Sequence, residues 1–136
     1  MAWKTIALCA ALAALGCGAA TQSSVKELQR VRSGDVDVLL LSPDAPLKQG
    51  RTTFTLEFRR AADGALVDAG PVRLSASMPM PGLGPMFGEV AAAQRPDTPG
   101  RYTVTSNLGM AGTWRITVEW QGPAGPRMAT FSTDAQ

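Results

Sequence analysis

The chain has 136 residues, of which 45% are hydrophobic and 18% charged, with a formal net charge of +2 at pH 7. That length holds one compact domain plus a targeting segment, and the apolar share excludes wholesale disorder. A near-balanced charge with arginines scattered along the chain argues against the basic face that a nucleic-acid partner requires.

The opening stretch "MAWKTIALCAALAALGCGAATQSS" has one early positive charge, Lys4, an apolar run from Ile6 to Leu15, and then small residues. This pattern predicts a secretory signal over residues 1–16, because the run is shorter than the roughly 20 apolar residues that span a bilayer. The segment "AALGC", ending at Cys17, resembles the lipobox of bacterial lipoproteins, with Ala14 where that pattern prefers leucine. The resemblance implies cleavage before Cys17, lipid attachment to its sulfur, and anchorage on the periplasmic side of a membrane. Gly18 stands in place of the aspartate that retains such proteins in the inner membrane, so the outer membrane is preferred. The alternative is a cut nearby by the ordinary signal peptidase at "CGA" or "GAA", which leaves a periplasmic or secreted protein. Cys9 goes with the signal, leaving at most one cysteine and no intrachain disulfide. Residues 17–34 read as a tether, in which Val25, Leu28 and Val31 recur at roughly helical spacing.

From residue 35 to 136 the chain alternates. "DVDVLLLS" puts Val36, Val38 and Leu40 on one side and the solvated carboxylates Asp35 and Asp37 on the other. "TTFTLEFRR" repeats this with Phe54, Leu56 and Phe58, and Asp63-Gly64 then signals a turn before "VRLSASM", whose Val72, Leu74, Ala76 and Met78 share a face. "RYTVTS" contributes Tyr102 and Val104. "TWRITVEW" contributes Trp114, Ile116, Val118 and Trp120, and "RMATFS" adds Ala129 and Phe131. About seven short strands with Gly and Pro between them predict an immunoglobulin-like antiparallel β-sandwich, with a small barrel as the alternative. "DTPGRYTV" fits a tyrosine corner of such a sandwich.

Across almost all of this region the chain resembles the YtkA-like domains, relatives of the FixH group. The resemblance lies in "MPMPGLGPM", "PGRY", "LGMAGTW" and "VEW". It implies an exported immunoglobulin-like module associated with heavy-metal handling or respiratory-oxidase assembly, with no established enzyme activity. Leu83 stands where such domains often carry another methionine.

No histidine is present, which removes the commonest general base and transition-metal ligand together with Ser-His-Asp and Cys-His nucleophiles. The glycines of "PGLGP" and "GPAGP" lack the strand–turn–helix setting of a phosphate loop. A non-enzymatic role is therefore expected. What remains is the stretch "SASMPMPGLGPM". Thioether sulfur is soft and selects Cu(I) or Ag(I). Met78, Met80 and Met86, joined by Met110 of "NLGMAGTW", make a candidate site, with Trp114 as a ring for a cation contact. The competing readings are methionines that fill an irregular end of the core, or that line a patch for a protein partner. The expected function is a lipid-tethered accessory or interaction module serving an envelope complex such as an efflux or oxidase system. The alternative is a Cu(I)/Ag(I) binder.

Overall fold

A computed structural model describes residues 25–136. The expected signal at 1–16, Cys17 and the start of the tether lie outside the described residues. Eight antiparallel strands make up the domain: β1 (Lys26–Ser33), β2 (Val36–Ser42), β3 (Gly50–Arg60), β4 (Val72–Met78), β5 (Met86–Gln94), β6 (Arg101–Leu108), β7 (Gly112–Gly122) and β8 (Gly125–Ala135). Their order across the sheet is β1-β2-β3-β6-β5-β4-β7-β8. The sheet folds over at β5, whose first three residues pair with β4 while Glu89–Gln94 pair with β6.

The fold-over creates two layers whose inner faces share one core. Val38, Leu40, Phe54, Leu56, Phe58 and Val104 face Trp114, Ile116, Val118, Ala129 and Phe131 across it, all buried. Phe58 sits edge-on to Tyr102 and Trp120 at centroid distances of 5.2 and 5.1 Å, an arrangement that the ring quadrupoles favour. β6, β7 and β8 alternate buried with more exposed residues, as period-2 geometry requires, while β2 buries Asp37 and Leu39 as well as Val38 and Leu40.

The sandwich is expected from the sequence; its strand count is not. The two strands beyond those that alternation predicts are β1 and β5. Residues 26–33 belong to the sandwich rather than to a flexible tether, since Val31 pairs with Val38 and Ser33 with Val36. The register shifts between Glu27 and Gln29. A β-bulge of this kind inserts one extra residue, so Leu28 and Val31 fall three apart and imitate a helical spacing. The hairpin that follows needs glycine, because Gly34 has φ +64°, which L side chains rarely adopt; the Arg127 guanidinium lies over it and donates to the Ser33 carbonyl at 3.0 Å.

One side of the sandwich is sealed. Leu47 runs parallel to the end of β8, with Leu47 N–H donating to Asp134 O and Gln136 N–H to Leu47 O. Ser132 N–H of β8 donates to Gln29 Oε1 of β1 at 3.0 Å. The two ends also differ. Connections 43–49, 79–85 and 109–111 gather at the end where the chain enters β1, hereafter the near end; connections 34–35, 61–71, 95–100 and 123–124 form the far end.

Candidate functional site

Met78, the last residue of β4, pairs across a hairpin with Met86, the first of β5, so both side chains leave the sheet on the same side. Met78 belongs to the core at 8% exposure, whereas Met80 and Met86 are half-buried. Leu83 N–H donates to the Met80 carbonyl at 3.1 Å, and Gly82 has φ +76°. Proline second and a positive-φ glycine third is the signature of a type II turn. The prolines and glycines of "MPMPGLGPM" thus build a hairpin tip, and the tip displays Leu83, 71% exposed.

Met110 lies on the neighbouring 109–111 connection and is 40% exposed. The two connections leave neighbouring strand ends, since β4 pairs with β7 and a Cβ added at Gly112, the first residue of β7, would meet the Met78 sulfur at 2.8 Å. Met78, Met80, Met86 and Met110 are therefore all at the near end. Trp114 is not a free ring for a cation contact. It is fully buried, and its indole N–H donates to the Met110 carbonyl at 2.9 Å, so it pins this connection from within the core. Met80 and Met110 stand partly exposed on connections at the near end, while Met78 and Met86 pack against the core. Among the described residues, no group of three or more His, Cys, Asp and Glu side chains is placed to hold a metal ion.

A second feature arises from the fold-over at β5. Val72–Ser75 of β4 pair with β7 on one side only, and Glu89–Gln94 of β5 pair with β6 on one side only. Among the described residues, these two strand edges have no main-chain partner on the sides that face each other. Half-buried Val72, Leu74, Val90 and Ala92 line the seam between them. The far end of the seam is closed by the 61–71 connection, where Gln94 Nε2 donates to Asp68 Oδ1 at 2.7 Å and Tyr102 O–H donates to the Gly70 carbonyl at 2.6 Å. Tyr102 therefore fastens a connection 32 residues upstream instead of forming the local corner that its sequence setting implied. Burial, with Asp68 nearby, pushes its phenol up to about 12, since a buried phenolate loses hydration.

The outer face of β1-β2-β3-β6 holds what composition could not reveal. Asp37, expected to be solvated, is only 4% exposed, and Glu57 is 5% exposed. Arg32 and Arg30 cover Asp37, and Arg59 and Arg101 cover Glu57, at 2.6–3.5 Å. The hydrogen bond from Arg32 holds the Asp37 carboxyl below the usual carboxylate range. The four guanidiniums and two carboxylates form two clusters, one joining β1 to β2 and one joining β3 to β6. Arg32 and Arg59 lie five and two residues from their carboxylates, whereas Arg101 reaches Glu57 from 44 residues away through strand register.

A family model of the YtkA-like domain matches residues 30–119, from within β1 to near the end of β7. Neither the curated proteins nor the solved structures give a significant match. With well over half its length matched and the sandwich in place, the chain belongs to the YtkA-like family.

Proposed function

We propose that this chain is a non-enzymatic extracytoplasmic accessory module. Lipid on Cys17 tethers it to the periplasmic side of a membrane, the outer membrane preferred, and it engages a larger envelope complex such as an efflux or oxidase system. The observation that carries this reading is the seam between β4 and β5. Two strand edges with unpaired main chain flank half-exposed apolar side chains, which is what strand addition uses: main-chain bonds for affinity and alternate side-chain pockets for specificity. Exposed edges are otherwise blunted by charge, proline or cover, and of the residues here only Arg73 and Glu89 carry charge. The metal-handling and oxidase-assembly associations of the family accord with a partner-binding role.

The test is photo-crosslinking in cells. A crosslinkable residue at Ser75 or Ala93, beside the seam, should capture a discrete envelope protein, while one at Thr117, on the outer face of β7, should not. Capture from Thr117 alone, or from none of the three, overturns the reading. Anchorage is tested separately: Cys17→Ser should abolish fatty-acid labelling and release the protein from membranes.

The opposition of Met78 and Met86, with Met80 and Met110 beside them, supports a second reading, in which the near end binds Cu(I) or Ag(I) through thioethers.

A further inference from the structure

The exposed apolar side chains of this domain are not evenly spread. The large ones are Val25, Leu83, Phe87, Met110 and Met128, at 52%, 71%, 75%, 40% and 58% exposure. All but Met128 lie at the near end. Leu83 tops the 79–85 hairpin, Phe87 is the second residue of β5, and Met110 sits on the adjoining connection. Gln49 Nε2 donates to the Gly109 carbonyl at 3.1 Å, tying a third connection to this end.

The chain enters at the same end, with Lys26 paired to Ser42 at the start of β1. Cys17 is eight residues before Val25. That length of chain reaches at most about 29 Å. A lipid on Cys17 therefore keeps the near end close to the headgroups. The far end stands a strand away, which for the eleven residues of β7 is about 36 Å. Lys26, Lys48 and Arg51 at the near end are balanced by Glu27, Asp44 and Asp134, so contact with the bilayer draws on the apolar side chains rather than on net charge. Tethering supplies an effective concentration of order mM, at which shallow insertion by a few such side chains is enough.

We infer that the near end is a membrane-contacting surface. Leu83, with Phe87 and Met110, rests in the interfacial layer of the leaflet that holds the Cys17 lipid. The domain then stands upright, and the open part of the β4–β5 seam faces away from the bilayer, toward envelope partners. This inference rests on the acylation of Cys17 proposed above.

The full chain, expressed in a host that acylates lipoproteins, would be reconstituted into phosphatidylethanolamine–phosphatidylglycerol vesicles. An environment-sensitive fluorophore is placed at Leu83→Cys or, at the far end, at Ala62→Cys. Both sites are exposed, so folding tolerates the change, and acylation leaves no other free thiol. The label at position 83 should be blue-shifted and quenched several-fold more than that at position 62 by spin-labelled lipid. Fatty-acid content measured on the same preparation separates the two ways of failing. A chain without lipid overturns the anchorage and this inference with it. A lipidated chain whose two labels are quenched alike, or whose label at 83 is shielded from lipid and aqueous quencher together, overturns the membrane contact and leaves the anchorage standing.

Discussion

Tyr102 is the only tyrosine in the chain, so its ionisation can be followed without ambiguity by phenolate absorbance near 295 nm. Its hydroxyl donates to the Gly70 carbonyl at 2.6 Å, and its phenol is pushed up to about 12. An unfolded tyrosine titrates near 10. Above that pH the unfolded chain has released a proton that the folded chain still holds, so the unfolded state binds fewer protons and stability falls as pH rises. The contribution is intact below about pH 10. The loss is on the order of 1 kcal/mol by pH 11 and approaches roughly 3 kcal/mol once the folded phenol also titrates. Tyr102→Phe should remove this alkaline slope. At neutral pH it should cost about 1 kcal/mol, the net worth of one hydrogen bond, because half-exposed Gly70 lets water reach the freed carbonyl. Urea denaturation of both proteins at pH 8, 10 and 11 measures each quantity, and the difference between them cancels the titration of lysines. If the native protein titrates near 10, or if Tyr102→Phe keeps the same alkaline loss, the latch between β6 and the 61–71 connection is refuted.

Ile116 is fully buried between the layers, so Ile116→Ala should cost about 2–5 kcal/mol in lost transfer energy and cavity, while Arg115→Ala on the solvent face should stay within about 0.5 kcal/mol by denaturant titration. Asp37 has its pKa lowered chiefly by Arg32, so its stabilisation is present above about pH 4 and lost as pH falls through its folded value; Asp37→Asn should flatten the acid limb of the stability profile. Calorimetric titration should show saturable Ag(I) binding near one equivalent with a change in Trp114 emission. Replacing Met80 and Met86 together by leucine should abolish that binding while costing no more than about 1.5 kcal/mol per site, and equal binding by the variant refutes the thioether site.

How much of this was legible beforehand depended on whether the signal was local. The sequence by itself determined the facing of β2, β3, β4, β6, β7 and β8, because period-2 alternation is carried within a single segment: Trp114, Ile116, Val118 and Trp120 need no partner strand to declare their side. It also determined the turn chemistry of Pro81-Gly82, since only glycine takes that positive φ without cost. Tertiary structure decided the rest. The bulge at Glu27–Gln29 broke the period of β1, and the alanines and Gly88 of β5 carry too little side chain to mark an inner face. Which edges stay open, whether Arg101 reaches Glu57, and whether Met110 stands at the same end as Met78 all depend on strand order and register. Those are set by the core as a whole, through contacts between residues tens of positions apart, and no window of the chain contains both partners.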